Sequence, residues 1–322
     1  MTSSTSTLTP SSSSKKDSTC AHFRSLLLIA KDKVTCSLQC RGYPSPMSAP
    51  PVALTIAGSD CSAGAGIQAD LKTFSLLGVH GLTAMTAIVS ETPREVHDTH
   101  PLPPALLRKQ VEILLQAYPV ASVKTGLLGT AEHVAVVAEL LEGSGIPLVV
   151  DPVLSSSTGT QFASDKVISA YRERLLPLAS LLTPNLPEAQ RLLGERMGPE
   201  LSDEQIPLDA AGRLGREAGT PVLLTGGHNS RNSHQATDIL YDNGKVTSFS
   251  GPWIDLPSTH GTGCTYSAAI TGFLARGVEL HDAIAKAKSL VTSSLKKSYK
   301  WPKDTEQLEL RALNLLSPEE RK

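Results

Sequence analysis

The stretch Val52-Ala53-Leu54-Thr55-Ile56-Ala57-Gly58-Ser59-Asp60, followed by Cys61-Ser62-Ala63-Gly64-Ala65-Gly66-Ile67-Gln68-Ala69-Asp70-Leu71-Lys72-Thr73-Phe74, decides the fold. The first run is apolar and short, bounded by glycine and aspartate, which reads as a buried strand. A glycine-rich turn then feeds a helix with Ile67, Leu71 and Phe74 on one stripe and Gly78 after it. Strand, tight turn and helix make the opening of a βα unit, and the pattern repeats downstream. Leu82 to Val89 reads as a second strand ending at Ser90-Glu91, and later strands end at Lys124-Thr125, Val150-Asp151, Thr183-Pro184-Asn185 and Thr225-Gly226-Gly227. Alternating elements with short apolar strands predict an α/β domain: a mostly parallel central sheet with helices on both faces, three layers in all. Asp242-Asn243-Gly244-Lys245, between two alternating runs, predicts an antiparallel edge hairpin, because Asn-Gly tolerates the positive φ a tight turn demands.

Nearly every predicted strand ends in polar or glycine residues. In an open parallel sheet those ends share one edge, where ligands bind. Thr259-His260-Gly261-Thr262-Gly263-Cys264-Thr265 belongs on the same crevice. Its glycines precede a helix containing Tyr266, Ile270, Phe273 and Leu274, with Gly277 as the stop. A helix N-terminus offers unpaired N–H groups and a positive dipole end, so this turn suits an anion. Cys264, in the first turn, would feel the same field, which favours thiolate. An anion cradle beside an activatable proton acceptor suits phosphoryl transfer; a glycine-rich loop with a structural cysteine is the plainer alternative.

Composition narrows the rest. The 322 residues are 40% hydrophobic and 19% charged, with a formal net charge of -1. Near-neutrality gives no electrostatic reason to expect nucleic acid or an anionic membrane as partner, and no apolar run reaches the length of a membrane span. Cys20, Cys36, Cys40, Cys61 and Cys264 show no paired spacing, so neither zinc nor a disulfide framework is indicated, and a cytoplasmic setting is expected. Residues 1–50 differ from the remainder. They open on a Ser/Thr tract and carry six basic residues against Asp17 and Asp32. That bias resembles a transit peptide, while Ser25 to Ala30 suggests a weak signal segment and Met47 an alternative start. The favoured expectation is an extension outside the fold, with residues 51–322 as one domain.

Several residues invite functional readings. Gly64-x-Gly66-x-x-Ala69 matches a dinucleotide fingerprint, with Glu91 as its ribose acid. A Walker A sequence is absent. Asp70 lies on or beside a buried helix stripe, where a carboxylate needs a partner; a backbone amide is one candidate, and a ligand contact is expected more readily than for an ordinary surface acid. Asp151 at a strand end suits a magnesium-bound water or phosphate-bound metal, and equally a turn. Asn185 and Glu188 read as a helix cap and first-turn acid, and Lys288 by default as a solvated helix lysine.

Together these motifs, with Val149-Val150-Asp151-Pro152-Val153, Thr183-Pro184-Asn185-Leu186-Pro187-Glu188-Ala189, Thr225-Gly226-Gly227-His228 and His260 to Thr265, resemble hydroxymethylpyrimidine/phosphomethylpyrimidine kinase of thiamine biosynthesis, in the ribokinase-like superfamily. The resemblance covers residues from about 52 to 300. It implies ATP, Mg²⁺ and two successive phosphorylations of 4-amino-5-hydroxymethyl-2-methylpyrimidine. By that resemblance Cys264 is the base, and the amides of Gly261, Thr262, Gly263 and Cys264 form the anion hole. Asp70, Gly58, Ala65 and Val153 fall on the pyrimidine pocket, and Asp151, Asn185 and Glu188 on the metal and phosphate region. Thr225, Gly226, Gly227 and Lys288 lie towards the nucleotide. Homodimers are common among such relatives.

The chain departs from the family where Cys61 replaces proline, Ala63 replaces glycine, and Glu91 replaces a pyrimidine-binding glutamine. An ionised carboxylate only accepts hydrogen bonds. The expectation is that Glu91 accepts from the amino group and a protonated ring nitrogen, or is itself protonated. A pyridoxal or pyridoxine kinase, a nicotinamide-dependent dehydrogenase and a silent pyrimidine-binding protein are the rival readings.

Overall fold

A computed structural model describes residues 49–156, 158–194, 205–226, 234–256, 260–301, 310–312 and 315. The extension therefore lies outside the described residues, save its last two positions. The sheet begins with β1 (Val52–Asp60), β2 (His80–Thr92) and β3 (Glu95–Pro101). It continues through β4 (Val120–Thr125), β5 (Leu148–Val150), β6 (Leu181–Leu182) and β7 (Val222–Leu224), and closes with β8 (Gln235–Asp242) and β9 (Lys245–Pro252). The order is β3-β2-β1-β4-β5-β6-β7-β8-β9. Strands β2 to β7 pair in parallel, and both flanks are antiparallel.

Strand alternation builds the three layers. Leu54 and Ile56, Leu148 and Val150, and Val222 and Leu224 face one core, with α2 (Pro104–Ala117), α3 (Ala131–Leu141), α4 (Asp165–Ala170), α5 (Leu186–Leu193) and α6 (Gln205–Ala218). The residues between them, Val149 and Leu223, face α7 (Thr262–Ala275) and α8 (Leu280–Lys296). Ala53 packs with Phe74 of α1 (Gly66–Leu76) and Ala268 of α7. Neither face of the central strands meets water, hence their unbroken apolar runs.

The Asn243-Gly244 hairpin forms as expected, with φ of 47° and 83° and Asp242 paired to Lys245. The opposite edge strand, β3, is not legible in the sequence. Its Glu95-Val96-His97-Asp98-Thr99-His100-Pro101 carries little alternation and is largely exposed, as edges tolerate. The stripe of α1 is also rotated from expectation: Ala69, Asp70, Thr73 and Phe74 are buried, whereas Leu71 is exposed.

That rotation turns Asp70 into the sheet. Its carboxylate accepts from Thr55 Oγ1 at 2.6 Å, and Lys124 Nζ lies 2.8 and 2.9 Å from its two oxygens. Asp70 and Lys124 are both fully buried. The expected ligand contact of Asp70 is thereby corrected: the buried face of α1 sets it between β1 and β4, where it balances an ammonium. Lys124 also lies 3.9 Å from Asp151, so one cation serves two carboxyl groups.

Removing the cation alone strands a buried charge. Lys124→Met should cost about 3–5 kcal/mol in urea unfolding, and adding Asp70→Asn should recover part of it. A loss below about 1 kcal/mol for Lys124→Met would show that the pair is not holding the layers together.

Candidate active site

The site begins where β1 ends. Asp60 is 1% exposed and organises the turn after it. It accepts from the amides of Ser62, Gly64 and Ala65 at 2.7, 3.0 and 2.7 Å, and from the Ser62 hydroxyl at 3.0 Å. His260 Nε2 lies 2.9 Å from its Oδ2; a carboxylate only accepts, so this nitrogen carries a proton. Burial alone would raise the Asp60 carboxyl, but His260, Ala65 and Ser62 bring it down to about 2. The dinucleotide reading fails here, because the amides of Gly64 and Ala65 that would meet a pyrophosphate are taken by Asp60.

His260 carries this turn to the second one. Gly261 adopts φ +80°, and a Cβ there would fall 1.8 Å from the Gly64 carbonyl oxygen. A Cβ on Gly64 would fall 2.4 Å from His260 Cδ2. The two glycine turns thus touch through main chain, with Ala65 beside Gly261, and only hydrogen side chains fit at the contact.

Beyond Gly261 the chain enters α7. Thr262, Gly263 and Cys264 form its first turn, as expected. The Thr262 hydroxyl is buried with no hydrogen-bond partner among the described residues, as is that of Thr125 at the end of β4. Orphaned donors beside a helix N-terminus fit a phosphate. Cys264 corrects an expectation. Burial pushes its thiol up to about 12; Lys124 and an amide from Gly66 pull it down, while Asp151 and Asp70 push it further up. Burial and the two carboxyl groups outweigh Lys124 and the Gly66 amide, which favours the thiol in the protein without ligands.

Asp151 follows β5 and is 6% exposed. Ser267 Oγ of α7 donates to it at 2.8 Å. Burial pushes its carboxyl up, Lys124 and Ser267 pull it down, and Asp70 pushes it up. Asn185 and Glu188 form a capping box: Asn185 N donates to Glu188 Oε2 and Glu188 N to Asn185 Oδ1, both at 2.9 Å. Burial, then Asp151, push the Glu188 carboxyl up to about 8, against amides of Asn185 and Leu154. Two mutually opposed carboxyl groups of hard oxygen character fit a magnesium ion. The amides already on Glu188 suit it to a water-mediated contact, leaving Asp151 as the direct candidate.

The nucleotide-side candidates converge elsewhere on the same sheet edge. Thr225 bridges to Asn185, and Gly226 N donates to Asp238 Oδ1 at 2.9 Å. Lys288 Nζ lies 2.7 Å from Asp238 Oδ2 and is largely buried, so it is an ion-paired lysine rather than a solvated one. Gly227 lies outside the described residues.

Gly58, Glu91 and Val153 gather at the other end. Val153 packs with Val89 and Leu127, the side chains nearest Gly58. Glu91, the penultimate residue of β2, follows a register shift and is 9% exposed. Cys61 Sγ donates to the Glu91 carbonyl at 3.3 Å and accepts from its amide at 3.4 Å. The Glu91 carboxyl has no hydrogen bond among the described residues, yet one of its oxygens, an Asp60 oxygen and a His260 nitrogen lie within 4.8 Å of one another. The sequence named Asp60 only as a strand end. It gave no sign of its partnership with His260, 200 residues away, nor of Ser267 and Asp238 as supports.

Comparison with known proteins agrees with this geometry. Residues 60–308 match the phosphomethylpyrimidine kinase family. A hydroxymethylpyrimidine/phosphomethylpyrimidine kinase of Haemophilus influenzae is 39% identical over 245 residues, 75% of this chain and 90% of that one. A thiamine biosynthesis bifunctional protein of Geobacter sulfurreducens is 43% identical over 76% of this chain, a match spanning about half (49%) of that longer protein. Among solved structures, the pyridoxal kinase of Staphylococcus aureus in complex with AMP-PCP and pyridoxal superimposes with TM-score 0.72 at 34% identity, covering 83% of this chain and 94% of that one. A mostly parallel α/β fold, a glycine turn bearing a thiol and a family match over most of the sequence converge: the chain belongs to the phosphomethylpyrimidine kinase family.

Proposed function

We propose that this protein transfers the γ-phosphoryl group of ATP to 4-amino-5-hydroxymethyl-2-methylpyrimidine and then to its monophosphate. The observation carrying this reading is the contact of the two turns. It supports the reading by bringing Gly261, ahead of the proposed anion cradle, against Gly64 and Ala65, with Gly58, Ala65, Glu91 and Val153 as the proposed ring pocket. The substrate hydroxyl oxygen forms the new bond to phosphorus as the bond to the bridging oxygen of ADP breaks, and its proton passes to Cys264. The amides of Gly261 to Cys264 and the Thr262 hydroxyl receive charge on the transferred group. Magnesium, when bound, neutralises phosphate oxygens; Asp151 would hold it, with Glu188 acting through water. Asp151 is one of the charges that keep Cys264 a thiol, so a cation held there would favour the thiolate. Asn185, Thr225, Gly226 and Lys288 face the nucleotide in this reading.

Glu91 supports a second reading, a pyridoxal or pyridoxine kinase, because its carboxyl matches a ring nitrogen without requiring an amino group beside it. The test is ATP-dependent phosphorylation of hydroxymethylpyrimidine, its monophosphate and pyridoxal by the full chain. Turnover of both pyrimidines is expected; turnover of pyridoxal alone would replace the first reading by the second.

Two outcomes follow for Cys264. Cys264→Ala should lower kcat by about 10²–10⁴-fold, the range of a positioned general base, with KM for the pyrimidine little changed. Without ligands near neutral pH, iodoacetamide should modify Cys264 at least about tenfold more slowly than exposed Cys61, since the thiolate is the reactive form. Equal rates, read by peptide mass spectrometry, would contradict the raised thiol.

A further inference from the structure

The Glu91 carboxyl poses an electrostatic problem that the protein alone leaves open. Glu91 as a residue is 9% exposed, its carboxyl accepts no hydrogen bond among the described residues, and one of its oxygens has an Asp60 oxygen within 4.8 Å. Asp60 cannot relieve the pair by taking the proton, because its carboxylate is already engaged by three amides, a hydroxyl and His260. For the same reason a metal ion is a poor occupant: Asp60 Oδ2 alone meets four donors. The unmet need is for a proton.

The ring proposed for this pocket sharpens the need. A heteroaromatic ring nitrogen is an acceptor, and so is an ionised carboxylate; facing each other without hydrogen they repel. We propose that the substrate enters with one proton taken from solvent and shared between Glu91 and the ring nitrogen facing it, and that His260, fixed by Asp60, is the positioning residue that sets the pH at which this happens. The class of ligand selected is a heteroaromatic ring with a basic nitrogen, whether aminopyrimidine or pyridine. This rests on the kinase reading of the same site.

The groups around Glu91 agree in direction. From the end of β1 and the turn after it come Asp60 and Cys61, from the turn before α7 comes His260, and β3 sets uncharged Val96 opposite. Burial raises the carboxyl, Asp60 raises it further, and His260 pulls it back. A carboxyl raised in this way binds its proton more readily at neutral pH than an exposed glutamate does. Bound between ring and carboxyl, the proton supplies the donor that a glutamine amide would otherwise provide.

Proton linkage gives a readout independent of turnover. Hydroxymethylpyrimidine binding to the full chain, without nucleotide, is measured by calorimetry in buffers of different ionisation enthalpy. On the alkaline side of the measured binding-pH profile, the unsubstituted protein should take up about one proton per ligand, and its affinity should fall about tenfold per pH unit. Glu91→Gln, which carries its own donor, should take up about none and bind with little pH dependence. His260→Gln keeps an N–H for Asp60 but removes the imidazole from beside Glu91. It should displace the uptake profile to higher pH, whereas a merely structural role would weaken binding equally at every pH. Equal uptake in Glu91→Gln, or phosphorylation by a protein that takes up no proton, overturns the inference and leaves the kinase standing. An unmoved profile in His260→Gln removes His260 from it. A protein that neither binds nor phosphorylates the pyrimidine overturns both.

Discussion

The contact between Gly261 and the Gly64 carbonyl, locked by the Asp60–His260 hydrogen bond, is the constraint on which the site depends. The hydrogen bond joins residues 200 positions apart, and in the proposed mechanism the contact sets the distance between the anion cradle and the ring pocket. Neither turn is shaped only by its own sequence. Asp60 gathers the N–H groups of one turn into a carboxylate cage, and His260 extends that cage to the other. Phosphoryl transfer is mostly positioning and charge stabilisation, so a rigid main-chain contact at this point is worth more than additional reactive groups.

Behind the turns stands a buried electrostatic arrangement with the opposite character. Lys124 is the cation shared by Asp70 and Asp151, and its field reaches Cys264. The balance is deliberately incomplete: two carboxyl groups and a thiol surround one ammonium, and each acidic group is pushed up by burial. Without ligands the thiol stays protonated. Bound cation at Asp151 would tip the balance, so the chemistry that activates Cys264 and the chemistry that neutralises phosphate would come from one event. The same logic governs Glu91 at the far end, where the missing partner is a proton rather than a metal.

Much of the fold was legible because buried parallel strands and their polar ends leave a local signature. The β1 run, the Asn243-Gly244 hairpin and the helix following Gly261 each follow from residues within a few positions of one another. What was not legible depended on which face of an element turned inwards. Asp70 reads as a ligand contact until α1 is seen to bury its Asp70/Thr73/Phe74 side, where Lys124 waits on a strand 54 residues away. Cys264 reads as a thiolate from its place in the first turn of α7, since sequence shows the dipole but neither the depth of burial nor Asp151 and Asp70 nearby. Lys288 reads as solvated because nothing local announces Asp238. The charged edge strand β3 lacks the apolar alternation by which strands are recognised.

The most direct test of the central claim is Gly64→Ala, because Gly64 lies in the ring turn and contributes nothing to the anion cradle. Its added methyl would press on His260 without demanding an unusual backbone angle. Steady-state kinetics with hydroxymethylpyrimidine and ATP should show kcat reduced at saturating ring substrate, since displacing His260 moves the Gly261 turn. A variant with raised KM and an unchanged kcat would contradict the account, for it would mean that the two turns act independently.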